Sequence, residues 1–524
     1  MDQSGTTLPG ILSQRAVATP DHVFLQHVDG AAMTYAGLEM LVRRWMATLR
    51  TIGVCLGAPV VVMLPISFDA VAAWLALARL GAIQVAINTG YVGNMLRHVL
   101  ADSGAEHMVL DGRYAGSLAA VAGDVPRLSQ AIVLGASPPL PFTCTGLRAE
   151  MDESGSVPLG PADIASVIYT SGTTGPSKGV LVTWRQAFET SRWCIPPEDI
   201  RADDVWYSPW PTYHVSGQLG LISAAVTGSC LVLRETFSTS RFWADVRAYA
   251  CTTVLLPGAT LSYIAQLPGG PNDRTHPLRN VLAAPLPPNS AEIAERFGIR
   301  FRTMFNMTEI SCPIVSGWEP GPLGSCGTLR PGAECRIVDE ADEEVAPGTM
   351  GELIVRSSRP WELMAGYLNR PEATVAAWRN LWFHTGDAFR RDEAGHYYFV
   401  DRMKHTIRKG GENISSMELE NEVCGYPPVA ECAAIGVASP LGEEDVKIFV
   451  VARPGQDFTP AGLIGFLEGR IPRFMVPRYV VQLDELPKTN THRAKKEELR
   501  AMQTDEEVWD RLAGAAPGAG QVSQ

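Results

Sequence analysis

Between residues 169 and 180 the chain reads YTSGTTGPSKGV. Hydroxyl side chains stand at Thr170, Ser171, Thr173, Thr174 and Ser177, glycines at Gly172, Gly175 and Gly179, and an ammonium at Lys178. Glycines let a backbone approach a ligand closely, while hydroxyls and backbone N–H groups donate hydrogen bonds to anionic oxygens. A lysine adds a compact positive charge. Together these groups suit a polyphosphate. The loop is not a Walker loop, because Gly179 follows Lys178 where Ser or Thr is needed. Gly175-Pro176-Ser177-Lys178-Gly179 also matches the serine-hydrolase elbow by composition. That device needs a strand, the serine and then a helix at once, so the match is read as chance.

Such a loop must be held by something rigid, and the flanking sequence supplies it. The apolar run 164–168 predicts a buried strand leading into the loop, and 180–183 a strand leading out. Before it, strands at 60–64, 83–86 and 107–110 alternate with helices at 68–80 and 95–102. After it come helices near 185–192 and 217–226 and strands at 230–233, 253–256, 281–284 and 301–304. This alternation predicts an α/β fold with parallel-rich sheets and packed helices. From about residue 335 strands and turns dominate, which predicts a small barrel-like subdomain. Near Lys404 a new pattern begins: helix 417–423, strands 430–437 and 446–452, helix 460–469, strand 479–483 and a basic helix from Arg493. The expected organisation is a core domain over 1–403, a mobile α+β domain over 404–503, and a flexible tail over 504–524.

Composition bounds the function. At 524 residues, with 46% apolar and 19% charged side chains, the chain is long enough for more than one buried core. A net charge of −12 gives no reason to expect nucleic acid or an anionic membrane as partner. The 10 cysteines show no CxxC pair or zinc spacing and read as reduced thiols of a cytoplasmic protein. The opening MDQSGTTLPG has neither a basic nor an apolar region, so no signal peptide is expected. The apolar stretch 60–87 is interrupted by Pro65, Asp69, Arg79 and Gln84 and reads as strand, helix and strand, not a membrane span.

Further stretches, in order over roughly residues 10–500, join the loop in resembling the acyl-adenylate-forming superfamily: acyl- and aryl-CoA ligases, peptide-synthetase adenylation domains and luciferases. In Trp210-Pro211-Thr212-Tyr213-His214 the resemblance places His214 between acyl group and nucleotide. In Phe305-Asn306-Met307-Thr308-Glu309 it implies that Phe305 stacks on adenine, Thr308 bonds phosphate and Glu309 holds Mg²⁺. Asn306 stands where the family usually has glycine, bringing an amide near the reacting carboxylate. Asp387, in the stretch WFHTGD, and Arg402 would hold the ribose, and Lys404 matches a hinge. Gly410 and Gly411, in RKGGENI, resemble the loop that lines a pantetheine channel. The acid pocket is assigned by resemblance to His214, Val215, Gly217, Ala283, Ala284 and Met307, suggesting a small or medium acyl or aryl group.

Near the end, LPKTNTHRAKK resembles the family's segment carrying a catalytic lysine after glycine. Here His492 replaces that glycine and Arg493 that lysine; Lys495 and Lys496 are the alternative cations, Lys496 sharing a helical face with Arg493. The stretches GGENISSMELE and WFHTGDAFRRDEAGHYYFVDR resemble carnitine/crotonobetaine-type CoA ligases more than peptide-synthetase domains. The implied activity is ATP-dependent formation of an acyl-adenylate, then thioester formation with CoA. Two other readings stay open: a different acceptor (carrier-protein thiol, amine or an inorganic nucleophile such as nitrite), and a nucleotide-binding protein that has lost catalysis. The implied partners are a carboxylic acid, ATP and CoA, and a homodimer is allowed.

Overall fold

Val60, Val61 and Val62 are all buried, as a strand covered on both faces requires. They lie in Pro59–Met63, which pairs in parallel with Ile83–Ala86 on one side and His107–Asp111 on the other. The computed structural model describes residues 7–170, 176–287, 289–402, 406–410, 412–439, 443–487, 494, 496–502 and 508–513. Ser171, Gly172, Thr173 and Thr174 of the loop, the expected hinge Lys404, Gly411, Arg493 and Lys495 therefore lie outside the described residues.

The chain divides into two compact units, one built from residues 1–89, 96–170 and 178–403, the other mainly from 404–524. In the first, a seven-stranded sheet runs in the order Thr143–Thr145, Gln130–Leu134, His107–Asp111, Pro59–Met63, Ile83–Ala86, Ile164–Thr170, Lys178–Thr183. All its pairs are parallel except the last, in which Thr170 faces Lys178 across an antiparallel ladder. A second seven-stranded sheet is parallel apart from the pair Val23–His27 and Ala32–Thr34. The helix Phe68–Arg79 is apolar nearly all round and correspondingly buried. Its Trp74 stacks on Trp184 at 5.5 Å and donates to the Ala165 carbonyl at 2.6 Å, tying helix to sheet.

The region read as barrel-like is a seven-stranded antiparallel sheet, ordered Met304–Met307, Ile310–Val315, Gly327–Leu329, His396–Arg402, Phe383–Arg391, Gly351–Ser357, Ala333–Val338. The strand expected at 301–304 is in fact split. Arg300–Arg302 ends the parallel sheet, and Met304–Met307 begins the antiparallel one. Between them Thr303 exchanges bonds with Ser316: its N–H donates to Oγ at 2.8 Å, and the Ser316 N–H donates to its carbonyl at 2.9 Å. Beneath this sheet Arg330 forms a buried ion pair with Glu362 at 2.9 Å and donates to Ser311 Oγ and to the Cys312 carbonyl.

In the second unit, Val429–Ala438, Glu444–Ala452 and Tyr479–Leu483 form a sheet whose apolar residues pack with those of helices Ser416–Cys424 and Pro460–Leu467. A hairpin joins Thr406–Lys409 to Glu412–Ser415. Residues 504–524 were expected to be a flexible tail. Within that stretch Trp509–Asp510 adds antiparallel to Tyr479–Leu483, and Arg478 grips Asp510 at 3.2 Å, while 504–507 and 514–524 lie outside the described residues. Short apolar-poor strands of this kind are held by their partner, not by their own pattern. All ten cysteines are free thiols. Among the described residues no helix is long and apolar enough to cross a membrane.

Candidate active site

The loop's two flanks are the strands Ile164–Thr170 and Lys178–Thr183, so Lys178 begins a strand instead of ending a loop. A strand also follows Ser177, which removes the hydrolase-elbow reading. Gly179 is needed for space: a Cβ there would lie 2.7 Å from Val167 Cγ1 and 3.2 Å from the Tyr169 ring. Tyr169 is anchored by its hydroxyl, which donates to Asp102 at 2.9 Å.

Beside Lys178–Thr183 runs the segment 363–368. Leu181 N–H donates to the Gly366 carbonyl and Ala365 N–H returns a bond to Leu181, both at 2.9 Å, while Leu368 N–H donates to Gly179 at 2.7 Å. The same segment also reaches the turn that carries Glu309, because Met364 N–H donates to the Glu309 carbonyl at 2.9 Å. Tyr367 thereby stands between two charged side chains. Lys178 Nζ lies 4.9 Å from its ring centroid, a cation–π distance. Its hydroxyl donates to Glu309 Oε1 at 3.1 Å. Burial, reinforced by the Glu309 carboxylate, pushes that hydroxyl well above the usual tyrosine range, so it stays a donor. Sequence reasoning missed Tyr367.

Glu309 is buried. Among the described residues its Oε2 accepts no hydrogen bond, and no cluster of three or more His, Cys, Asp or Glu side chains could hold a metal. The open Oε2 fits Mg²⁺, which takes one or two protein carboxylates and completes its shell with phosphate oxygens and water. Thr308 is fixed through its carbonyl, which accepts from Gln186 Nε2 at 2.8 Å. Phe305 packs edge-on against Phe389 at 4.7 Å. Asn306 sits where the ladder between Phe305 and Met307 breaks register, and its Oδ1 is buried without a partner among the described residues.

His214 caps the helix Val215–Thr227 through its backbone: its carbonyl accepts from Gly217 N–H at 3.1 Å and Gln218 N–H at 3.3 Å. Gln218 in turn donates to Thr212 O and Ser166 Oγ, pinning this segment to the sheet. A narrow cleft here is lined by Gln186, Thr190, Val215, Gln218, Thr308 and Ile310, among others. Two of the expected pocket residues have other work. A Cβ on Gly217 would lie 2.2 Å from the Pro211 carbonyl oxygen, so this glycine permits a close approach of helix and loop. Ala283 is fully buried in an apolar cluster with Leu256 and Leu261, leaving the half-buried Ala284 at that strand end. Met307 faces Ile310 across the turn and packs against the core.

Asp387 is buried, and its N–H donates to Thr385 Oγ1 at 3.1 Å, which donates to the Leu353 carbonyl. Its register partner is Arg402, so the two expected ribose contacts are cross-strand neighbours. The sequence from 12 to 368 matches the model of the AMP-binding enzyme family, and 418–493 matches that of the AMP-binding enzyme C-terminal domain. The chain belongs to the AMP-binding enzyme family. A crotonobetaine/carnitine–CoA ligase of Salmonella arizonae is 32% identical over 89% of this chain and 93% of its own length. That of Citrobacter koseri is 32% identical over 82% of this chain and 85% of its own. The fold is that of the o-succinylbenzoate CoA synthetase of Bacillus subtilis in a binary complex with a product analogue (TM-score 0.83, 23% identity, 95% of this chain and 99% of that one). An amide bond synthetase of Marinactinospora thermotolerans shares it (TM-score 0.81, 24% identity, 95% and 99%).

Within the second unit of this AMP-binding enzyme, the hairpin places Gly410 in a left-handed turn (φ 61°), with space open around it. Lys496, offered as an alternative catalytic cation, is committed elsewhere. Its Nζ lies 2.6 Å from Glu420 Oε1 and 2.6 Å from Ser416 Oγ, bracing one helix of the small unit to another.

Proposed function

We propose that this AMP-binding enzyme is an acid–CoA ligase that forms AMP. A carboxylate oxygen attacks the α-phosphorus of ATP, and the bond to pyrophosphate breaks. The CoA sulfur then attacks the acyl carbon, giving up its proton as AMP leaves. The observation that carries this reading is Lys178 and Glu309 held on either side of Tyr367, a cation and a carboxylate prepared for one polyphosphate. Mg²⁺ on Glu309, when bound, supplies positive charge to the leaving pyrophosphate. The chain's own work is positioning and charge neutralisation. Lys178 takes phosphate oxygens, Thr308 donates to phosphate, Asp387 and Arg402 orient the ribose, and His214 lies against the reacting carboxylate. Thr170, Ser171, Gly172, Thr173 and Thr174 cradle the phosphates.

Residues 404–503 form a domain that turns about Lys404. One orientation brings Arg493 to the α-phosphate, and the other brings Gly410 and Gly411 to the pantetheine arm. The acid is small or medium in size, entering beside Val215, Ala284 and Met307, and the enzyme acts in the cytoplasm. A pyrophosphate-release screen over a panel of carboxylic acids, with and without CoA, tests this. Acid-dependent release and a thioester of the matching mass are expected. Release without any thioester, with the acyl group found on an amine or another nucleophile, would refute the CoA step. No release with any acid would refute the activity.

A further inference from the structure

Lys178 and Glu309 carry opposite charges on facing elements. A direct ion pair between them would occupy both groups and leave neither as able to receive phosphate or metal. The observed structure gives each another partner, and it is the same side chain. The Tyr367 ring presents its face to Lys178 Nζ at 4.9 Å, and its hydroxyl donates to Glu309 Oε1 at 3.1 Å. Tyr367 is itself fixed. Its N–H donates to Thr374 Oγ1 at 2.9 Å, and the backbone on either side is bonded to Gly179, Leu181 and Glu309. Among the described residues only one oxygen of Glu309 is used, which leaves the other for a ligand.

We infer that Tyr367 is a positioning residue of the adenylation step: it separates Lys178 from Glu309 and aims both at the triphosphate. The inference rests on the adenylating activity proposed above but not on the identity of the acceptor. Its two halves are separable. The hydroxyl acts through Glu309, and the ring acts through Lys178.

The test uses the full-length enzyme with Tyr367→Phe, Tyr367→Leu, Glu309→Gln and the double variant Glu309→Gln/Tyr367→Phe. Pyrophosphate release is measured as a function of ATP and Mg²⁺. Binding of a fluorescent ATP analogue is measured separately in EDTA, where no metal contributes. Tyr367→Phe should lower turnover by roughly 10- to 100-fold, the scale of one hydrogen bond to a charged group, and raise the Mg²⁺ needed for half-maximal rate. Its metal-free nucleotide affinity should stay within a few-fold of native, because the ring remains. Tyr367→Leu should lose that affinity as well. On the Glu309→Gln background, Tyr367→Phe should add little, because residues acting through one group are not additive. Full additivity, or a Tyr367→Phe enzyme with native turnover and Mg²⁺ demand, would overturn the hydroxyl's role. Equal metal-free affinity in the Phe and Leu variants would overturn the ring's. If Tyr367→Leu does not fold, the isosteric Phe variant and its cycle with Glu309 still decide. Should no acid support pyrophosphate release, the proposed activity fails, and the metal-free binding series continues to judge the ring.

Discussion

Two glycines on one helix should respond to the same substitution with opposite signs. Both lie in Val215–Thr227, where alanine is favoured over glycine by about 0.8–1 kcal/mol on propensity alone. At Gly220 a Cβ would meet Leu231 Cδ1 at 3.5 Å and Ser208 Oγ at 3.8 Å, which is ordinary contact. Gly220→Ala should therefore stabilise by up to about 1 kcal/mol. At Gly217 a Cβ would lie 2.2 Å from the Pro211 carbonyl oxygen, 2.5 Å from its carbon and 2.6 Å from the Trp210 oxygen. These are backbone atoms, and the segment cannot retreat easily: Trp210 Nε1 is bonded to the Leu255 carbonyl at 2.7 Å, and the His214 carbonyl to Gly217 N–H itself. Overpacking typically costs about 1–3 kcal/mol, and a clash this close with backbone atoms belongs in the upper half of that range, about 2–3 kcal/mol. After the propensity gain of about 1 kcal/mol, Gly217→Ala should destabilise by roughly 1–2 kcal/mol. The two variants should differ by about 2–3 kcal/mol in urea unfolding, with unchanged slope. Gly217→Ala should also raise KM for the acid, since His214 moves with the helix end. A Gly217→Ala enzyme as stable as native, or a Gly220→Ala enzyme that falls equally, would refute the close-approach argument.

Two other substitutions test parts of the frame. Arg330→Met leaves Glu362, fully buried, with the longer ion pair to Arg359 at 3.8 Å and the Ser357 hydrogen bond in place of its 2.9 Å partner; a loss of up to about 3–5 kcal/mol in unfolding free energy is expected from urea titration. In the small unit, Lys496→Ala should leave ATP–pyrophosphate exchange within a few-fold of native while lowering stability, because Lys496 braces Glu420 and Ser416. Arg493→Ala should lower exchange by about 100- to 1000-fold, the effect of losing one charge-stabilising donor; the reverse pattern would return the role to Lys496.

The elements were legible wherever local pattern decides them. Val60, Val61 and Val62, and the alternating helices around them, announce a doubly covered parallel sheet, and the strands expected at 60–64, 83–86 and 107–110 fall within a residue of the observed ones, whereas Gln130–Leu134, Thr143–Thr145 and Val205–Ser208 were not expected. Legibility failed where partners decide. The run at 301–304 is uniform enough to read as one strand, yet at Thr303 the chain leaves one sheet for another, a choice set by Ser316 and invisible to periodicity. Trp509–Asp510 is a strand only because Tyr479–Leu483 offers an edge and Arg478 a charge. Lys496 shares a helical face with Arg493 in the sequence, but Glu420, far away in the chain, claims it. The cations and carboxylates of the site were readable from residue type; what holds them was not. Tyr367 lies in a stretch, MAGYLNRP, with no strand period of its own. Its only sequence signal is a glycine and an aromatic ahead of an Asn-Arg-Pro turn.

That stretch ties the strand that carries Lys178 to the turn that carries Glu309. Lys178–Thr183 is an edge strand of the first sheet, and Met304–Met307 is an edge strand of the antiparallel one. Edges present unpaired N–H and C=O groups that proteins must cover. Here residues 363–368 cover one edge through Gly179 and Leu181 and then reach the Glu309 turn through Met364. One segment thus satisfies backbone groups and sets the separation of the two charges. Its backbone is therefore a matter of stability as much as of activity, and changes at Gly366, where φ is 148°, should damage both together. The Tyr367 hydroxyl is the exception. It belongs to no ladder and, among the described residues, its hydrogen bond goes to the Glu309 carboxylate, so it is the point in the segment where activity can be separated from folding.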